Sequence, residues 1–271
     1  MSIPWLLLAF SLALLGYTAK FSLVVLGFSL VWLSYLGVLD SLGLGFIAIG
    51  AILAYLQIKY RNIFLEVLIV CFVIALLLHF IPGFHNPKML DKVLVSENSA
   101  PYSMYFNLDK ALIPFFLLAV LPTLFVNKSI RFNKNIFIWF SIILSPILLL
   151  LFATSLGLLK LEYHIPKWFF SFMLANIFFV SLAEEALFRG YLQQRLANKI
   201  GQISSLLIVS LIFGSLHYQG GLNLILFATL AGIIYGLAWM LSGKLWISVF
   251  IHFMTNCLHL LFFTYPMYMP H

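Results

Sequence analysis

Apolar residues run along this chain in long blocks divided by short polar punctuation. The blocks show neither the period of two expected of a half-buried strand nor the single apolar stripe of a helix on a soluble core. Candidate helical blocks lie at 3–18, 22–39, 42–58, 62–83, 111–127, 135–159, 168–188, 203–217, 222–241 and 245–263. A helix needs about 20 apolar residues to cross a bilayer, and most of the blocks approach that length. The first is short enough for an interfacial position. It lacks a basic leader, since Lys20 is the first cation, so it reads as an uncleaved span. The pattern predicts an all-α fold, a polytopic transmembrane helical bundle of about ten spans.

The only long polar stretch, 84–110, holds His85, Pro87, Lys88, Asp91, Lys92, Glu97, Pro101 and Asp109. It divides the chain into residues 1–110, an N-terminal block of four spans with its polar loop, and residues 111–271, a block of six spans. No internal repeat or low-complexity tract is visible.

Composition requires a lipid environment. Of 271 residues, 63% are hydrophobic and only 8% charged, whereas soluble domains carry about 25% charged residues. The expected location is a membrane, crossed many times: the plasma membrane, or the inner membrane in a bacterium. The net charge of +7 does not indicate a nucleic-acid partner, because the 15 Lys and Arg are scattered singly through the loops. They read as topology signals. With the N-terminus outside, the inner loops carry Lys20, Lys59, Arg61, Lys128, Arg131, Lys134, Arg189, Arg195, Lys199 and Lys244, and the outer loops carry half as many cations. Asp40, Asp91, Glu97, Asp109 and Glu162 all fall outside. Cys71 and Cys257 sit in apolar blocks without a CxxC spacing and read as small buried hydrophobes.

Three acids remain inside apolar blocks. Glu66 lies near the inner end of its block, five residues after Arg61, where it is expected to reach the headgroups as a structural acid. Glu184 and Glu185 follow some fifteen apolar or small residues. An acid at a helix centre costs about 2.5–3.5 kcal/mol on insertion scales, so two in succession call for a purpose. Helical spacing places Glu185 and Arg189 at i, i+4 with the acid first, the favourable order. Glu184 points about 100° away and has no local partner. A lone desolvated carboxylate is suited to act as a general base; the alternative is an acid pair that only bridges helices.

Seven histidines are present. His79, His85, His164 and His271 lie at span ends, in loops or at the terminus and carry no assigned role. His217 follows Phe213 by four residues, and His252 precedes Asn256 by four, each pair on one helix face; His259 extends the second face. A lone membrane histidine is ordinarily an interhelical hydrogen bonder. Two acids, two histidines and an amide on late helices are another matter, because such groups in lipid must find each other. Depth leaves a mismatch. Glu184 and His217 both lie about 25 Å from a turn near 198–202, but His252 lies only about 12 Å from its own turn at Lys244. Convergence then needs a tilted helix, a water-filled chamber or turns of unequal depth.

Glu184-Glu185-x-x-x-Arg189, Phe213-x-x-x-His217 and His252-x-x-x-Asn256, in this order, resemble the CPBP family of CAAX proteases and bacteriocin-processing enzymes, also called the Abi family. That family includes the type II CAAX prenyl endopeptidases. The resemblance covers roughly 165–260 and implies an intramembrane endopeptidase cleaving a protein or peptide near its C-terminus or a membrane boundary. On this resemblance Glu184 and His217 activate water, and His252 and Asn256 stabilise the oxyanion. Glu185 and Arg189 hold the helix and tune its charge, while Phe213 packs beside His217. A metal-free mechanism is expected; the alternative is a divalent ion such as zinc on Glu184, His217 and His252, although no HExxH is present. The expected partners are membrane lipid and a protein or peptide substrate, lipidated or membrane-anchored in some cases. Two other classes stay open: an immunity or scaffold protein of the same family, and a proton-coupled transporter.

Overall fold

The structure, a computed structural model, describes residues 2–269; His271 lies outside the described residues. In chain order the elements are α1 (Ile3–Leu15), α2 (Ala19–Tyr35), α3 (Ser41–Tyr60), α4 (Ile63–Leu77), β1 (Lys88–Val93) and β2 (Tyr102–Tyr105). There follow α5 (Leu108–Val120), α6 (Ile136–Ser155), α7 (Phe169–Ile200), α8 (Gln202–Ser215), α9 (Gly221–Ser242) and α10 (Leu245–Phe262). Five helices are long and apolar enough to cross a membrane: α3, α6, α7, α10, and α9 with the short 3₁₀ turn before it. The protein is a multi-pass integral membrane protein. A helix of 13 residues such as α1 rises about 20 Å, less than the roughly 30 Å of hydrocarbon it would need to cross alone.

The all-α expectation needs one correction. Within 84–110, β1 and β2 form an antiparallel hairpin that pairs Lys88 with Tyr105 and Val93 with Tyr102. The segment lies between apolar helices, and a two-stranded pairing can satisfy its backbone without a helix. Its irregular register leaves no alternating pattern to read.

The loops segregate to two ends. At one end Val38 accepts from the backbone N–H of His85, Met267 accepts from Ala100, and Phe262 accepts from Glu162. At the other, Asn127 donates to Gly243 and Leu245 donates to Phe125, and Gly16 lies against the Phe125 ring. The alternating in-and-out reading of the loops requires this grouping.

One hydrophobic cluster joins helices from both halves of the chain. α1 is part of it rather than lying along a surface. Trp5, Leu8, Leu12 and Leu15 are buried, and the Trp5 ring packs 5.1 Å from Phe106 and 5.5 Å from Phe179. Large hydrophobic side chains such as Phe28, Val31, Ile136 and Phe137 stay exposed on the outer faces of α2 and α6, where lipid covers them. Cys71 is one of these exposed positions rather than a buried one; Cys257 is half-buried, and both are free thiols. α8 and α9 pack against each other at Gly214. A Cβ there would meet the Thr229 hydroxyl, with the Ile225 carbonyl 2.7 Å away.

Candidate functional site

The polar interior is built on α7. Its α-helical course is interrupted by π-helical segments at Asn176–Ser181 and Ala186–Gln193, leaving Leu182–Glu185 as a short α-turn between them. Such bulges occur frequently at functional sites. Here they flank the acid pair on both sides.

Glu185 is fully buried and faces three side-chain donors, of which Ser248 divides its one proton between Glu185 and the Tyr235 carbonyl, also 2.7 Å away. Arg189 Nη1 donates to its Oε1 at 3.0 Å, His252 Nδ1 lies 2.9 Å from the same oxygen, and Ser248 Oγ lies 2.7 Å from Oε2. The i, i+4 pair read from the sequence is therefore present, across the start of the second π segment. Arg189 is also fully buried, and its Nη2 donates to the Gly232 carbonyl at 2.9 Å. Its guanidinium carbon lies 4.6 Å from the Phe213 ring centre and 5.5 Å from that of Tyr235, so aromatic faces supply part of the solvation that water would give the cation.

Glu184 is half-buried and receives no hydrogen bond from the described residues. This agrees with its expected lack of a local partner, and the contrast with Glu185 is complete.

Phe213 is the hinge of the remaining groups. Its ring lies 5.0 Å from His217, 5.9 Å from His252 and 5.2 Å from Phe188. His252 is buried and stacked on Tyr235, with ring centres 4.5 Å apart and planes 13° apart. His217 is half-buried at the end of α8, with Nδ1 3.0 Å from the Phe213 carbonyl. A carbonyl can only accept, so Nδ1 carries a proton, and in the neutral ring Nε2 presents a lone pair. By the same reasoning the Glu185 carboxylate fixes a proton on Nδ1 of His252. Asn256 Nδ2 donates to Asn176 Oδ1 at 3.2 Å, an oxygen that also accepts from Ser181.

The depth mismatch is bridged, since His252 reaches Glu185 directly. The π segment Ala186–Gln193 puts more residues into each turn than an α-helix does. His259 is separate: its Nε2 lies 3.2 Å from the Thr264 carbonyl in the outer loop.

Glu66 corrects its expected headgroup role. It is buried, accepts from Tyr191 Oη at 2.8 Å, and pairs with Arg195 at 2.8 Å. It ties α4 to the inner half of α7. Sequence reading also missed Ser248, Tyr235 and Asn176. Ser248 stands four residues before His252 on α10, a same-face spacing that was available to be read; Asn176 is a lone amide within a run of apolar residues on α7.

Among the described residues no group of three or more His, Cys, Asp and Glu side chains is arranged to hold a metal ion. Glu184, His217 and His252 are not assembled as a ligand set, and His252 spends Nδ1 on Glu185.

A buried acid–imidazole–guanidinium cluster enclosed by apolar helices defines a polytopic membrane protein with a polar site within its helix bundle. The family model described as Rce1-like, type II CAAX prenyl endopeptidase Rce1-like, matches residues 166–258. Residues 166–258 are thus similar to that family, and the match spans all three motifs. No curated protein and no solved structure matches the chain.

Proposed function

We propose that the protein is an intramembrane endopeptidase that cleaves a protein or peptide near its C-terminus or a membrane boundary. The observation that carries the reading is the division of labour within the acid pair. Glu185 is engaged by Arg189 and His252, with Ser248 Oγ beside its second oxygen, whereas Glu184 is left with free acceptor oxygens. A carboxylate held by an arginine and an imidazole is a poor base, and one that accepts no hydrogen bond is a ready one.

In this reading His217 Nε2 orients a water and Glu184 takes its proton as it attacks the scissile carbonyl; when the tetrahedral intermediate collapses, the C–N bond breaks and Glu184 returns that proton to the leaving amine. The oxyanion that forms is met by Asn256 Nδ2, which keeps one N–H beyond its bond to Asn176, and by His252. His252, whose Nδ1 faces Glu185, can donate from Nε2 only as an imidazolium. Phe213 packs against both imidazoles. No step requires a metal. In this reading the N-terminal block, residues 1–110, shares one core with the late helices that carry the site, and ten crossings with both ends outside give the topology; the sorting of loops to two ends supports that topology.

Peptide termini in membrane fractions from cells carrying the wild type or Glu184→Gln test the proposal by mass spectrometry. Termini present only with the wild type support it. Identical termini, with a variant that folds normally and keeps its cellular phenotype, would replace it with a scaffold or immunity role.

A further inference from the structure

A second site lies at the opposite end of the chemistry, on the inner face. The loop between α5 and α6 runs LPTLFVNKSIRFNKN over 121–135, with three cations and no acid. It is firmly built. Asn133 donates its backbone N–H to the Leu241 carbonyl and Asn127 donates to Gly243, so the loop is pinned to the end of α9. The Phe132 ring stacks on Trp139 at 5.2 Å and 14°, and the Trp139 indole donates to the Asn133 carbonyl at 2.6 Å.

Between this loop and α9 is a cavity of about 390 Å³, lined by Arg131, Phe132, Asn133, Lys134, Met240 and Leu241. Lys244 stands at its edge, with Nζ 5.6 Å from the Phe132 ring. Among the described residues none of Arg131, Lys134 and Lys244 forms an ion pair. A topology signal alone needs only cations on this side of the membrane. It does not need a concave pocket with cations at its rim, an apolar floor and a stacked Trp–Phe pair.

We infer that this pocket binds the phosphate headgroup of an anionic phospholipid. Arg131 and Lys134 would meet the phosphate, and Met240 and Leu241 the glycerol and first methylenes. A basic pocket between helices at the inner face suits such a headgroup, because the phosphate gains paired donors while its chains stay in the bilayer. A free phosphate satisfies the same cations but leaves the apolar floor uncovered, so the lipid is the better occupant. The inference is independent of proteolysis.

Native mass spectrometry of the full-length protein in detergent, titrated with phosphatidylglycerol or with phosphatidylcholine, tests it. The wild type should retain phosphatidylglycerol in preference to phosphatidylcholine. Each of Arg131→Gln and Lys134→Gln should weaken binding about fivefold, and the pair about thirtyfold. Lys59→Gln/Arg61→Gln, at a different inner turn, should bind as the wild type does and serves as the control for general surface charge. Equal retention of both lipids would overturn the inference, as would equal loss in the two double variants. Displacement of the lipid by inorganic phosphate at equal concentration would overturn the choice of lipid over free anion.

Discussion

Replacing Arg189 with Met isolates the most exposed assumption in the account of the site, that Glu185 depends on a counter-ion. Both side chains are fully buried, and the pair is 3.0 Å apart. Arg189→Met keeps most of the side-chain volume but strands a carboxylate in a low-dielectric interior, leaving it only His252 and Ser248. Breaking a buried pair from one side costs about 3–5 kcal/mol. For a chain of this length that corresponds to a fall in Tm of about 6–10 °C. Glu185→Gln should also destabilise, because it strands the guanidinium between Phe213 and Tyr235. The double variant removes both charges and should recover a substantial part of the loss. Thermal unfolding in detergent of the wild type, the two single variants and the double variant gives the coupling between the two sites directly. Coupling of about 2 kcal/mol or more is expected. Additivity within about 0.5 kcal/mol would refute the claim that these charges hold each other in place.

Two further outcomes follow from the same geometry. Glu66→Gln should weaken the tie between α4 and α7 by about 1–2 kcal/mol, since it loses charge-assisted bonds to Tyr191 and Arg195; the same unfolding assay reads it, with Tyr191→Phe expected to cost less. Acid should loosen the outer end. The backbone N–H of Gly43 and the His85 ring hold Asp40 below its usual 3.8. For Glu162 burial pushes upward, but the nearby Ser96 hydroxyl and the hydrogen bond from Asn98 outweigh it and leave the carboxyl below 4.5. Both depressed values mean stability that is present above those ordinary values and lost as pH falls through the folded ones. Tm should therefore decline in acid, and less so in Glu162→Gln.

The helices were legible because lipid imposes length and apolarity on each one independently of its neighbours. The Glu185–Arg189 pair was legible for a related reason: four residues on one helix are neighbours whatever packs around them. The partners of that pair were not. His252 is 67 positions from Glu185, and Arg195 is 129 from Glu66; nothing local marks such pairings. Treating Glu66 as a headgroup acid followed from its depth alone, and its burial comes from α7 lying against it. The π segments of α7 were equally hidden, because the apolar run is the same for an α- or a π-turn. The hairpin at 88–105 was lost for want of alternation.

The central claim, that Glu184 activates water for peptide-bond cleavage, is tested most directly by the oxygen that enters the product. Purified protein in proteoliposomes would be given a peptide identified from the comparison of termini, in water enriched in ¹⁸O. One labelled oxygen in the newly formed C-terminal carboxylate with the wild type, and no cleavage with Glu184→Gln, is the predicted result. Cleavage by Glu184→Gln at the wild-type rate, or a well-folded wild type that leaves the peptide intact, would contradict the account.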